Sequence, residues 1–335
     1  MIAAAHEYYS DCDTVGFPDF TAVRLRDLQP VDTASFEFVS PCSLTILNDS
    51  MLLYTEEGTS PLLRVLNFRS GDCTGYIEMG TGSYQMHSIR NISYSDSTVS
   101  VFDDLSGKYA EFTLKPDCEL SCVKWITLSG SMHRVVNAGS GNLLLHGAPS
   151  TEHMFQIFSS DSEKSVSFGD FPDVPVREGV NPSVSDFQSF IDVSPRGDRF
   201  VSSLIMWDIV SIYDAATLKC IRRIRGPLMH DNELAVKRYA NGFLVKMTSS
   251  DIFAVGKIKS SGGGFSVGLA GSDKLLLNGF REIRYIASYD WDGRPLRLIE
   301  CNESTLDFAY DIYSGLLYVF TVDDGGKVKL ERYEI

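Results

Sequence analysis

Residues 289–300 read YDWDGRPLRLIE. An alternating apolar segment runs into an acidic, glycine-containing turn, and a second alternating segment leaves it. The same arrangement recurs at residues 62–75 (LLRVLNFRSGDCTG), 98–113 (TVSVFDDLSGKYAEFT), 209–224 (IVSIYDAATLKCIRRI) and, in a weaker form, 154–168 (MFQIFSSDSEKSVSF). Asn, Asp or Ser at the reversal hydrogen-bonds its own backbone, and glycine takes positive φ where the turn needs it. Alternation of period two bounded by such turns marks antiparallel strands. Capped helical periodicity over a dozen residues is nearly absent. The chain reads as all-β.

Another hairpin precedes several copies, as in 190–213, where SPRGDR forms the turn, and 306–320 (LDFAYDIYSGLLYVF) comes ahead of the final KVKLERYEI. The unit is therefore four antiparallel strands, a to d, with a tight Asx/Gly turn between c and d. Its turn residues Asn67, Asp103, Ser160, Asp214 and Asp290 lie 36, 57, 54 and 76 positions apart. That spacing is too irregular for a solenoid but suits a propeller whose blades differ in loop length.

The sequence thus predicts a six-bladed β-propeller of four-stranded blades at about 43–79, 88–115, 134–168, 187–226, 264–300 and 305–335. The last shows three strands, and 21–28 (TAVRLRDL) is expected to supply the fourth. Pairing the N- and C-terminal strands would close the ring and remove an exposed edge. Residues 1–20 then form a tail and 21–335 a single domain. Residues 227–263 fit either an elaborated fifth blade or part of a seventh.

A net charge of −14, from 30 Lys+Arg against 44 Asp+Glu, repels phosphate backbones and anionic lipids, so a nucleic-acid partner is not expected. No run of about 18 apolar residues exists to span a membrane. The start, MIAAAHEYYSDCD, lacks the basic and apolar regions of a signal peptide. Seven cysteines form an odd, scattered set, unlike a disulfide scaffold. Cys118 and Cys122 are the one close pair, and buried structural thiols are the expected state.

Three passages resemble the bacterial TolB-like six-bladed β-propeller family: YIASYDWDGRPLRLIE with the strands that follow it, LRVLNFRSGDCTGYIEMGTGSY at 63–84, and IDVSPRGDRFVSSLIMWDIVSIYD at 191–214. The family usually continues Gly-Pro-Gly-Glu-Phe where this chain has Gly80-Thr81-Gly82-Ser83-Tyr84, a departure in that loop. The resemblance implies the fold and an exported location, periplasmic or cell-surface with a possible lipid anchor on a removed leader; a cytoplasmic location is the alternative. It implies no particular reaction.

No G-x-S-x-G elbow, P-loop or HExxH is present, and DWDG is too short for an EF-hand loop. The run SSGGG at 260–264 reads as a flexible connector. In a propeller the b–c and d–a connections meet around one mouth of the channel, where ligands usually enter. Those connections are expected to present Trp207 and Asp208, His146 and His153, Tyr84, and Arg281 and Arg284. Glu56, Glu57, Asp96, Asp323 and Asp324 join them, while the DWDG turn lies at the opposite face in a structural role.

Trp207 beside Asp208 would suit sugar stacking or peptide docking, although a Trp folded over its own blade is the stronger alternative. His146 and His153 flank the loop GAPSTE and read as ordinary loop histidines before metal ligands. The carboxylates 56/57 and 323/324 would suit a divalent cation such as calcium if they converge; no cofactor is otherwise expected. A non-catalytic binding or scaffold propeller for a peptide, glycan or protein is favoured. The alternatives are a metal-dependent hydrolase or lactonase with ligands in the channel, and a purely structural assembly subunit.

Overall fold

The alternating segments fold as strands, and the Asx/Gly stretches are the reversals between them. The computed structural model describes residues 8–34, 36–89, 91–116, 119–129, 132–147, 152–229, 231–238, 244–248, 253–272 and 282–335. Three short strands come first, β1 (Asp13–Thr14), β2 (Thr21–Arg24) and β3 (Asp32–Ala34). Four four-stranded antiparallel units follow. The first is β4 (Pro41–Ile46), β5 (Met51–Glu56), β6 (Leu63–Asn67) and β7 (Cys73–Gly75). The second is β8 (Asn91–Ser95), β9 (Thr98–Asp103), β10 (Lys108–Leu114) and β11 (Leu120–Thr127). The third is β12 (Arg134–Asn137), β13 (Asn142–His146), β14 (Phe155–Ser159) and β15 (Lys164–Phe168). The fourth is β16 (Ser189–Val193), β17 (Arg199–Leu204), β18 (Ile209–Asp214) and β19 (Cys220–Arg225), with β1 added in parallel at its outer edge.

A two-stranded sheet, β20 (Leu234–Arg238) and β21 (Leu244–Thr248), separates these from an eight-stranded curled sheet. The curled sheet runs β22 (Phe253–Ser261), β23 (Gly264–Ser272), β24 (Ile283–Tyr289), β25 (Pro295–Asp311), β26 (Leu316–Val322), β27 (Val328–Glu334) and then β3, with β2 beside β25. The 17-residue β25 pairs with β24 through its first half and with β26 through its second. The arrangement is that of a β-propeller.

The two ends of the chain do pair, with Leu330 opposite Ala34 and Arg332 opposite Asp32. The strand that does so is β3, not 21–28. Residues 21–24 instead run parallel to 297–300. Val23, Leu25 and Leu28 anchor there against Ile286, Ile299 and Phe308, and Leu25 is fully buried. The expected tail is likewise tied down at β1, where Asp13 also pairs with Arg222.

The copy at 98–113 is out of phase, because it joins the second and third strands of its sheet where the other copies join the third and fourth. An Asx/Gly turn serves any tight hairpin, so the sequence does not mark which pair it closes. The SSGGG run is no loose connector but the β22–β23 hairpin turn. A Cβ at Gly264 (φ +154°) would sit 1.9 Å from the carbonyl oxygen of Tyr289. The fifth group therefore begins at Phe253, earlier than expected, and β20–β21 is separate from it.

The innermost strands β4, β8, β12, β16, β22 and the second half of β25 touch in succession, with β25 also on β4. Apolar clusters fill the spaces between neighbouring sheets. In one, Phe200 and Tyr213 stack at 4.5 Å beside Phe155 and Phe168.

Between sheets, side chains of one bond to the backbone at the innermost strand of the next. Thr55 Oγ1 donates to the Ile89 carbonyl and Asn91 Nδ2 to that of Val135, at 3.2 and 3.1 Å. The Ser189 amide donates to His146 Nε2 (3.1 Å), that of Ser260 to Asp192 (2.8 Å), that of Ser304 to Glu282 (2.9 Å) and that of Leu44 to Asp307 (2.9 Å). Innermost strands face no partner strand across the gap, and these side chains satisfy backbone groups that would otherwise be buried unpaired.

Candidate functional site

The propeller has two ends. The b–c and d–a connections form the loop end; the tight turns between a and b, and between c and d, form the turn end. At the loop end, Trp207, Asp208, His146 and Glu56 are buried and structural. Trp207, in the β17–β18 connection, is 1% exposed, not presented to solvent. Its Nε1 donates to the Asn232 carbonyl (2.8 Å) and its ring packs on Phe187 at 5.5 Å. Residues 226–229 and 231–234 fold against it, bridged by Asn232 to the Met206 carbonyl. Nothing within 205–208 signals that cover, which arrives from beyond the next strand.

Asp208 is buried as well, its Oδ2 accepting from the Leu228 amide at 2.6 Å. Desolvation raises its pKa to about 7, the Leu228 and Met229 amides and Arg225 opposing only in part. His146 is fully buried. Its Nδ1 donates to the Met154 carbonyl (3.0 Å) while Nε2 accepts from Ser189, which fixes the tautomer as Nδ1–H. Burial lowers its pKa to about 3. Both ring nitrogens are committed, so His146 is a clamp between sheets and not a metal ligand.

His153 is half-buried, Tyr84 is 73% exposed with its ring edge-on to Trp125 at 5.5 Å, and Arg284 is exposed over Tyr285. Arg281 lies outside the described residues, as does Cys118. The two carboxylate pairs do not converge. Glu56 is 3% exposed, bonded to the Val39 amide and paired with Arg64 at 2.9 Å. Asp323 caps the β26–β27 turn and pairs with Lys329 at 3.2 Å. Among the described residues no group of three or more His, Cys, Asp or Glu is disposed to hold a metal. Cys42 is buried, but Cys122 and Cys220, on the fourth strands of their units, are exposed.

The turn end holds a different arrangement. The ends of β4, β8, β16, β22 and β25 converge on a cavity of about 280 Å³. Tyr94, Asp192, Lys259 and Tyr310 line it, with Asp49 and Asp96 exposed at its rim. Asp96 is thus at the turn end, in the two-residue β8–β9 reversal, not in a b–c loop. Through Asp96, Pro195 and Gly262 the cavity continues into a hollow of about 560 Å³ bordered by Arg196, Trp291, Asp292 and Tyr313.

The DWDG turn supports this hollow. Asp290 Oδ1 accepts from the Asp292 and Arg294 amides at 2.9 and 2.8 Å, closing the Asx turn. Half-buried Trp291 donates to the Ser261 carbonyl (3.2 Å) and packs on Phe265. Tyr313, 76% exposed, leans on Gly262, where a Cβ would meet its ring at 2.8 Å. The glycines of SSGGG therefore let an aromatic lie flat against the hairpin. Sequence reasoning missed Asp192 and Lys259 because each sits in an ordinary alternating strand, with nothing in its own segment to mark the strand it will face.

No family model matches this chain, and no curated protein does. Among solved structures, a member of the DUF4221 family from Bacteroides vulgatus superposes with TM-score 0.60 at 10% identity, over 92% of this chain and 98% of that one. At that identity the likeness shows the β-propeller fold and no more. The β-propeller domain of Swd1 (Cps50) from Myceliophteria thermophila matches at TM-score 0.49 and 9% identity, over 91% of this chain and 99% of that one. A virginiamycin B lyase from Staphylococcus aureus matches at TM-score 0.49 and 8% identity, over 92% of this chain and 99% of that one. Neither is near enough to add to the fold assignment. No helix among the described residues is long and apolar enough to cross a membrane.

Proposed function

We propose that this chain is a non-catalytic binding or scaffold protein, one six-bladed propeller domain over 21–335 of TolB-like character, whose ligand enters the channel at the turn end. Six blades are supported by the chain of side-chain bonds from each sheet to the next, which ends where Asp307 on β25 meets Leu44 on β4. The TolB-like resemblance carries an exported setting with it, periplasmic or cell-surface. A peptide, glycan or protein segment is the class of ligand.

The observation that carries the binding site is the cavity on which five innermost strands converge, of mixed polar and apolar lining and bordered by aromatic and charged side chains. Its size is near the lower end of the about 300–1,000 Å³ of small-ligand pockets, and the adjoining hollow extends it. Rings of Trp291 and Tyr313 offer flat apolar surface with a polar tip, suited to stacking on sugars or on peptide side chains.

Thermal melts with short peptides, glycan fragments, and calcium with and without chelator test the reading. A ligand selective for the folded state stabilises it by about 2.7 kcal/mol at a hundredfold excess over Kd. A peptide or glycan shift that Tyr313→Ala and Arg196→Ala reduce, and Tyr84→Ala and Arg284→Ala leave intact, is the expected result. A shift abolished by Tyr84→Ala or Arg284→Ala alone would move the site to the loop end. A calcium shift reversed by chelator would displace the non-catalytic reading.

A further inference from the structure

Strand β22 sends Lys257 and Lys259 to the same side, two residues apart, toward the channel. Their surroundings differ. Lys257 pairs with Asp307 at 3.8 Å, and Asp307 also accepts from the amides of Leu44 and Phe308. Asp192 accepts from the Ser260 and Val193 amides at 2.8 and 2.9 Å. Both interior carboxylates are thus engaged by backbone. Half-buried Lys259 lines the cavity and makes no hydrogen bond or ion pair with another described residue.

We propose that the turn-end cavity recognises a carboxylate group on an otherwise neutral or cationic ligand, with the Lys259 ammonium as its anchor. The inference rests on the binding reading above and adds the ligand's chemistry. An ammonium drawn out of water with no ion pair of its own is unfavourable: burial disfavours its charge, Asp307 and Asp192 offset this only in part, and Lys257 adds to it. A carboxylate brought against it restores both charge balance and hydrogen bonds, and a charge-assisted contact is about twice as strong as a neutral one.

The rim narrows the class. Asp49 and Asp96 stand exposed at the mouth, Asp292 borders the hollow, and the whole chain carries −14. A polyanion such as a phosphorylated or sulfated chain meets that field before it reaches Lys259. A ligand with one carboxylate and a neutral or basic body does not. Two sources share this chemistry: the free C-terminus of a peptide whose preceding residues lie along Trp291 and Tyr313, and a small free acid such as a sugar acid.

The test labels the lysines by reductive ¹³C-methylation, which keeps their charge, and assigns Lys259 by the signal lost in Lys259→Arg. The probes are a tripeptide pool with free C-termini, the same pool amidated, and glucuronate. The expected result is that the free-acid pool or glucuronate moves the Lys259 signal and raises the melting temperature. Amidation should then weaken peptide binding at least tenfold, and Lys259→Met should remove the thermal shift while melting as a folded protein.

If the free-acid pool acts and glucuronate does not, the source is a peptide terminus; the reverse assigns a small acid. Equal stabilisation by the free and amidated pools with Lys259 unmoved overturns the carboxylate anchor and leaves the binding reading standing. Silence from all three probes, with a neutral glycan still stabilising the protein, overturns the anchor alone. Silence from every probe overturns both.

Discussion

The two ends of this propeller use the same kinds of residue for opposite purposes. At the loop end His146, Trp207 and Asp208 are sealed among backbone groups, and every bond they make runs to another part of the chain. At the turn end Lys259, Tyr313 and Asp96 border open space. The difference teaches that a polar or aromatic residue in a propeller loop is not thereby a ligand contact. What decides is whether a neighbouring connection folds over it, as residues 226–229 and 231–234 do over Trp207.

Substitutions separate the two roles by what each one changes. The largest effect is expected from Trp207→Ala, which empties a fully buried site and strands the Asn232 carbonyl. It should cost about 5 kcal/mol in a urea titration, at the upper end for a buried aromatic. A change below about 1 kcal/mol would mean that the loop end is open after all.

His146 comes next. Its folded pKa, about 3, lies below the unfolded value of about 6.5, so its contribution is complete above pH 6.5 and is lost as pH falls toward 3. Asp208 runs the other way. With a folded value of about 7 against 3.8 unfolded, its contribution is complete below pH 3.8 and is lost as pH rises toward 7.

Between pH 4 and 6.5 the two slopes oppose each other, and single variants uncover them. Relative to wild type, Asp208→Asn should gain stability as pH rises from 4 to 7, by about 3 kcal/mol. Relative to wild type, His146→Gln should lose its disadvantage as pH falls from 7 to 3.5, by roughly 4 kcal/mol. Flat difference curves would show that neither group is desolvated.

The turn end should behave in the contrary manner. Lys259→Met, which exchanges an unpaired half-buried charge for an apolar chain of similar length, should stay within about 1 kcal/mol of wild type or be slightly more stable. Tyr313→Ala, at an exposed tip, should shift stability by less than about 0.5 kcal/mol while weakening ligand binding. A large loss of stability at either would make the turn end structural too and erase the contrast.

Much of the architecture was legible because alternation and Asx/Gly turns are local signals. The sheet at 134–168 falls at its expected bounds, with β12 opening at Arg134 and β15 closing at Phe168. The second sheet slipped by a strand because the Asp103 turn looks the same whichever hairpin it closes. The N-terminal course was misplaced because β2 and β3 are both short alternating strands. The partner of β2, 297–300, is set by packing around Leu25, and that of β3, 330–332, lies beside a separate cluster that holds Leu330 and Ala34.

The site was less legible for a related reason. Lys259 and Asp192 lie in separate alternating strands, and only the packing of one sheet on the next brings β16 and β22 together. Trp207-Asp208 drew notice as an adjacent pair, yet the segment that buries them lies some twenty residues on.

The most direct test of the contrast uses the indole N–H signals of the chain's three tryptophans. Trp291 reports on the turn end, Trp207 on the loop end and Trp125 on an outer strand. Protein labelled with ¹⁵N-tryptophan would be titrated with whichever peptide or glycan stabilises it in the melts. The Trp291 signal should move with the fraction bound while those of Trp207 and Trp125 hold still. Movement of Trp207 with Trp291 fixed would contradict the account and return the ligand to the loop end.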